Sequence, residues 1–387
     1  MLIKDILIES RKKNKTILGV GPMSQNCIDA TIQISDRFEI PLQIIASRRQ
    51  IDSEEFGSGY VNNWSTGELS RYVNKKSKKN LTFLSRDHGG PWQSNLEIEN
   101  KLSYKEAIKS SLKSFEKDID NGFKFLHIDP SPDPLNEGIN LNDIINATCE
   151  IYSHIYDYSS DASNIQIEIG TEIQKSEINS PEEVKFVLNE VNNFCKSNNF
   201  APPLFYVIQN GTKVLEHTNV GDYPIKIFSD QDFKNDLTSL TGICHDYGTF
   251  VKAHNSDYLS NEVLGTFSEV GIDAINIAPE FGVIETKKIV NLLKTQKLDL
   301  QLNKFLEISY SSNKWEKWLK PSSEINDYDK AILSGHYIFS SPEYIELKNE
   351  IEFIFAKKSL DFNNMVYETV YSSIERVLLS LNWKMEV

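Results

Sequence analysis

Eight short runs of apolar residues, each followed by a stretch of helical periodicity, constrain this chain more than any other feature. They fall at 16–20, 41–46, from Leu81 up to Asp87-His88, and at 123–128, 165–169, 204–208, 250–253 and 274–277. The runs are continuous rather than alternating, which is how strands read when both faces of a parallel sheet are covered. Between them lie amphipathic stretches such as 103–119, with Tyr104, Ile108, Leu112 and Phe115 on one side and Asn121-Gly122 as the stop. Ser180-Pro181-Glu182-Glu183 opens another, with proline in its first turn. Eight such units predict an α/β chain folded as a (β/α)8 TIM barrel. A doubly wound open sheet is the rival, weakened because no GxGxxG follows the first run.

Beyond residue 295 the pattern changes. Strand-like runs give way to aromatics (Tyr310, Trp315, Trp318, Tyr328, Tyr337) and a final amphipathic stretch at 362–381. The expected organisation is therefore a barrel over 1–295 and a helical C-terminal extension over 296–387. The extension would pack on the barrel, closing one end or forming an oligomer contact. The formal net charge of −14 argues against a general nucleic-acid binder, which needs a basic face. Cys27, Cys149, Cys195 and Cys244 are scattered without CxxC spacing, so no zinc knuckle or dithiol motif is indicated and a reducing compartment is expected. With no signal-peptide pattern and no apolar run of transmembrane length, the expectation is a cytoplasmic protein.

Polar residues collect where the apolar runs stop. Asp87 and His88 follow the third, ahead of Gly89-Gly90-Pro91. Asp129 follows the fourth, with His127 inside it, and Glu168 and Glu172 flank the end of the fifth. His217 lies in the loop after the sixth, and His254 ends the seventh. In a barrel these ends converge on one rim, where chemistry sits. Three neutral imidazoles hold zinc and leave a position open for a substrate oxygen, so His88, His217 and His254 are the expected ligands. Asp87 is the expected proton carrier. Asp129, Glu168 and Glu172 are placed to hold imidazole N–H groups, to assist proton transfer or to bind sugar hydroxyls. His127 reads as a core histidine or as support for a ligand. His154, His245 and His336 fall in helical or appended segments and read as structural.

At these residues the sequence resembles the non-catalytic accessory subunits of class II tagatose-bisphosphate aldolase. The pieces that carry the resemblance are Gly59-Tyr60, Asp87-His88-x-Gly-Pro, His127-Ile128-Asp129, Ile169-Gly170-Thr171-Glu172, Ile208-Gln209 with His217, Ala253-His254-x-x-Asp257-Tyr258, and Pro279. The resemblance implies a TIM barrel and a link to zinc-dependent ketose-phosphate aldolases and ketose-phosphate 4-epimerases. In such enzymes an Asp-His pair and two further histidines serve as base and zinc ligands, a pattern that Asp87, His88, His217 and His254 match. Around the pocket, Gln50, Gln209, Asn255, Asp257 and Asn276 are the expected substrate contacts, together with Glu168.

Departures from the family surround the same pocket. Pro22-Met23-Ser24-Gln25-Asn26 stands where the family has a Cys-x-x-His pair, and Asn276 where it has a lysine. Arg48 and Arg49 replace an acidic, small-polar run, and arginine suits a phosphate or carboxylate. The expected substrate is therefore a phosphorylated or acidic sugar other than tagatose bisphosphate. The expected activity is zinc-dependent retro-aldol/aldol chemistry, by cleavage or epimerisation. The alternative is an accessory subunit that stabilises a separate aldolase. The expected partners are that small molecule and either a second copy of the chain or the aldolase subunit, with no nucleic acid or membrane.

Overall fold

The computed structural model describes residues 3–171 and 177–385. Eight strands, all paired in parallel, close a barrel. They are β1 (Ile17–Val20), β2 (Leu42–Ser47), β3 (Thr82–Gly89), β4 (Phe125–Ile128), β5 (Gln166–Gly170), β6 (Phe205–Ile208), β7 (Phe250–Ala253) and β8 (Ala274–Ile277). Their order round the barrel follows the chain, with β1 beside β8. The apolar runs thus become strands as expected, β7 and β8 residue for residue.

Local chemistry sets the helix ends. In the helix Tyr104–Asp120, the Ser103 N–H donates to Glu106 and the Ser103 side chain accepts in return from the first turn, so two orphan donors are satisfied. Its buried stripe is Ala107, Ile108, Ser111 and Phe115, and Gly122 turns the chain away at φ +75°. The loop after β6 is more ordered than its sequence suggests. It forms a small antiparallel hairpin from Val214–Leu215 and Thr218–Asn219.

The C-terminal helices are not a detached unit. Val370, Ile374, Val377 and Leu378 of the last helix, Phe362–Ser380, belong to the barrel's own core. Trp383 donates from Nε1 to the carbonyl of Thr16 at 2.7 Å, beside the start of β1. A second core joins Val283, Ile289 and Leu293, on the helix that follows β8 (Pro279–Thr295), to Phe305, Leu347, Ile351 and Phe355. Among the described residues, no helix is long and apolar enough to cross a membrane. All four cysteines are free thiols.

Glu285, buried on the helix Pro279–Thr295, ties these layers together. It accepts hydrogen bonds from Ser24 Oγ at 2.5 Å and Asn26 Nδ2 at 2.7 Å. Burial pushes its carboxyl up to about 7, against the pull of those two donors and of Lys348, and the Cys27 thiol and Tyr344 hydroxyl also face it. A carboxyl raised on folding stabilises the fold fully below its unfolded value of 4.5, and that stability is lost as pH rises through about 7. The wild type is therefore expected to lose on the order of 3 kcal/mol from this group between those limits. Glu285→Gln should lack that loss. Equal pH slopes for the two proteins in urea unfolding would refute the assignment.

Candidate metal centre and its pocket

A regular strand points successive side chains to opposite faces. Asp87 and His88 are adjacent, yet both line the same pocket. The reason is an irregularity in β3: its register to β4 shifts between Arg86 and Gly89, and His88 takes φ +45°. Such a bulge re-aims a side chain, and a left-handed non-glycine residue at a strand end is a form of strain that clusters at functional sites. Arg86, just before it, points outward and is fully buried. Its guanidinium pairs with Asp118 at 2.6 and 2.8 Å and donates to the carbonyls of Ala46 and Ile51, which anchors the strand behind the bulge.

Three imidazoles meet at this rim. One ring nitrogen each from His88, His127 and His254 lie within 4.8 Å of one another. The neighbouring polar groups hold them in place. His88 Nδ1 lies 2.7 Å from Asp129 Oδ2. Burial raises the Asp129 carboxyl, but hydrogen bonds and the charges of His88 and His127 outweigh it and keep it low. An ionised carboxylate only accepts, so His88 carries its proton on Nδ1 and turns Nε2 toward the pocket. Asp129 also accepts from Gln93 Nε2 at 2.8 Å and from Ser131 Oγ at 2.5 Å. The His88 N–H lies 3.3 Å from His127 Nδ1, the nitrogen that also faces Asp87 Oδ1.

Asp87 lies against the group. Its Oδ1 is 3.5 Å from His254 Nε2 and 3.9 Å from His127 Nδ1, and its Oδ2 is 4.0 Å from His88 Nε2. Burial pushes its carboxyl up, but the three imidazoles outweigh burial and hold it far below the usual carboxylate range. Asn276 Nδ2 donates to Oδ1 at 3.0 Å and fixes the carboxylate's orientation. A Cβ at Gly19 would run into the Asn276 amide and the Ile45 side chain, so β1 needs glycine there. A trio of nitrogen donors, His127 and His254 buried and His88 half-buried, beside one carboxylate fits a zinc ion. The pocket that contains the site has about 900 Å³ of empty space, part of it open to solvent.

No protein-family model matches the sequence, and no curated protein matches it. Solved structures do match. A protein from Sinorhizobium meliloti 1021, described as a probable tagatose 6 phosphate kinase, superposes with a TM-score of 0.73 at 16% identity, over 95% of this chain and 100% of that one. A fructose-bisphosphate aldolase from Campylobacter jejuni superposes with a TM-score of 0.55 at 12% identity, over 98% of this chain and 94% of that one. The barrel fold is shared with both.

Several expected site residues lie elsewhere. His217 is outside the imidazole group. It sits at the tip of the hairpin after β6, where the neighbouring Glu216 N–H donates to the Trp318 carbonyl at 2.8 Å and the Glu216 carboxylate pairs with Lys320 at 3.2 Å. The hairpin borders the pocket through Val214, while its tip docks the C-terminal extension. Glu168 lies inside the barrel with both oxygens 3.0 Å from Lys252 Nζ, and neither side chain is exposed. That pairing removes it from the substrate contacts. Arg48 is also lost to the pocket: it is buried against Asp52 at 2.9 Å, Glu97 at 2.7 Å and the Gly90 carbonyl at 3.0 Å. Arg48→Met should therefore leave two buried carboxylates unpaired and destabilise the fold by about 3–5 kcal/mol. A variant as stable as wild type in urea would return Arg48 to the list of substrate contacts.

Asp257 caps the helix Pro279–Thr295 by accepting from the N–H groups of Ala278 and Glu280, although it still borders the pocket. Burial, and then the Glu280 charge, push its carboxyl up to about 8. Gln209 donates to the Thr212 carbonyl at 3.2 Å and braces the loop after β6. Arg49, Gln50, Asn255 and Asn276 line the pocket. Glu172 falls outside the described residues. His154 and His245 pair with Glu116 and Asp273, away from the rim.

The residues that the sequence reading missed are His127 and a set from the extension, Lys317, Trp318 and Tyr337, which lines the same pocket. His127 had a signal. It stands two residues before Asp129 and so shares its inward face. The extension residues had none, because no strand delivers them.

Proposed function

We propose that this chain is a metal-dependent enzyme that breaks and makes a carbon–carbon bond in a phosphorylated or acidic sugar, by retro-aldol/aldol chemistry. The observation that carries the reading is the imidazole trio of His88, His127 and His254 with the Asp87 carboxylate within 3.5–4.0 Å of their nitrogens. The barrel shared with a probable tagatose 6 phosphate kinase and with a fructose-bisphosphate aldolase points the same way. His88, His127 and His254 would hold zinc. Bound there, zinc would supply Lewis-acid polarisation of a sugar carbonyl and stabilise the negative charge that bond cleavage places on it.

The chain's own residues do the rest. Asp87, kept ionised and oriented by Asn276, accepts the proton of the hydroxyl on the carbon to be released. That O–H electron pair becomes the new aldehyde C=O, and the electrons of the broken C–C bond stay with the ketose-derived fragment. Recombination on the other face of the aldehyde returns the proton from Asp87 and gives the epimer. Asp129 holds His88 in the tautomer that presents Nε2.

The test is turnover by the isolated, zinc-loaded chain against a panel of ketose phosphates and acidic ketoses, scored for aldehyde release and for epimer formation. Asp87→Asn is expected to keep the metal and lower turnover by about 10²–10⁴-fold. Turnover that survives both Asp87→Asn and chelation would sink the reading. An isolated chain that binds zinc yet turns over nothing would favour the accessory-subunit alternative, for which the readout is stabilisation of a separate aldolase.

A further inference from the structure

The pocket has two ends of opposite character. One is the imidazole trio with Asp87. At the other, Arg49 from the loop after β2 meets Lys317, Trp318 and Tyr337 from the C-terminal extension. Arg49, Tyr60, Lys317 and Tyr337 also border an outer groove that continues from the pocket toward solvent. Neither Arg49 nor Lys317 has a carboxylate within ion-pair distance among the described residues. The nearby acids are engaged elsewhere: Asp129 with His88, Gln93 and Ser131, Asp257 with a helix N-terminus, and Asp87 with Asn276. Glu99 and Glu316 line the outer groove and pair with neither cation.

The extension is clamped in place to do this. Glu216 holds the Trp318 carbonyl and Lys320, and the Tyr60 and Tyr337 rings sit 4.7 Å apart. Lys317 lies over the Trp318 and Tyr337 rings, at 4.9 and 5.0 Å. Trp318 Nε1 donates to the Tyr337 hydroxyl oxygen at 3.2 Å, which leaves that hydroxyl's own proton for another acceptor. We propose that Arg49, Lys317 and Tyr337 form a subsite for the anionic group of the ligand, a phosphate monoester or carboxylate, so that the C-terminal extension completes the pocket and selects acidic substrates. Three donors without an acceptor, two of them like-charged and facing each other, are what an oxyanion neutralises. Enclosure, and then the Arg49 charge, hold the Lys317 ammonium below the usual lysine range, although the residue is exposed at the surface. The inference deepens the sugar-acid reading above and rests on it only for which molecule carries the anion.

The experiment is calorimetric titration of the full chain with inorganic phosphate and, separately, acetate, at fixed ionic strength. Wild type is expected to bind at least one of them. Arg49→Met and Lys317→Met should each weaken binding about tenfold or more, and Tyr337→Phe less. The Lys317 result is the decisive one, because its side chain stands on the surface of the extension and its replacement leaves both cores untouched. Unchanged affinity in Lys317→Met, or no binding of either anion by wild type at 20 mM (roughly the range a two-cation site must reach), overturns the proposal. Zinc content read on the same samples tests the metal centre alone. His88→Ala is expected to lose zinc and still bind the anion, so the two readings fail separately.

Discussion

His127→Ala is expected to strip the protein of zinc, and His217→Ala is expected to leave zinc in place. In the proposed site His127 takes the ligand role that the family resemblance gives to His217. His127 stands on β4, enclosed by the barrel, with Nδ1 facing Asp87 Oδ1 at 3.9 Å. Its ring centroid is 5.5 Å from that of His88 and 5.0 Å from that of His254. Removing one of three nitrogen donors should lower zinc affinity by well over about 100-fold, the upper end of what loss of a supporting partner costs. Asp129→Asn supplies that comparison. It keeps the shape but no longer fixes the His88 tautomer, and should cost about 10–100-fold. Zinc per chain after dialysis against a chelator buffer reads all three variants. A zinc-free His217→Ala beside a zinc-replete His127→Ala would reverse the assignment.

What could be read from the sequence follows from how each part is encoded. Barrel strands are buried on both faces, so each one appears as a continuous apolar run, and the eight runs gave the architecture with β7 and β8 matched residue for residue. Asp87, His88 and His254 were legible because they interrupt or end such runs. His217 misled because a histidine in a loop can be assigned only by what the loop folds against, and here that is the Trp318 segment, distant in sequence. Arg48 and Glu168 misled for a common reason. A charged residue at a strand end reads as a pocket residue until its counter-ion is known, and Asp52, Glu97 and Lys252 are found only in three dimensions. Parity would have helped with one of these. Lys252 stands two residues before His254 and must share its inward face, so a buried carboxylate partner was required. The extension's part in the pocket was not legible, since Lys317 follows neither a strand end nor an apolar period.

That inward lysine gives the second large effect. Lys252→Met is expected to destabilise the barrel by about 3–5 kcal/mol at neutral pH, the cost of leaving a buried charge uncompensated. All three protons of the ammonium are in use: two face the Glu168 oxygens at 3.0 Å, and one reaches Gln43 Oε1 at 2.8 Å. Both side chains are without exposure, and the nearest other stabilisation is the Phe205 ring, 5.6 Å from Nζ. Without the lysine, Glu168 must either remain charged in a medium that solvates it poorly or take up a proton. Low pH relieves the stranded charge, so the remaining stability of the variant would be highest in acid and fall as pH increases. The deficit of Lys252→Met should therefore shrink toward pH 4–5, near the carboxyl's unfolded range. Adding Glu168→Leu removes the stranded carboxylate and should recover most of the loss, because an apolar replacement of a buried pair is often neutral or stabilising. Urea midpoints for the single and double variants at neutral and acid pH decide it. A Lys252→Met protein within about 1 kcal/mol of wild type at neutral pH would mean that water or local rearrangement already solvates Glu168. In that case the inside of the barrel is wet beneath the imidazoles, and the candidate metal centre above it rests on a solvated floor rather than on a fixed ion pair.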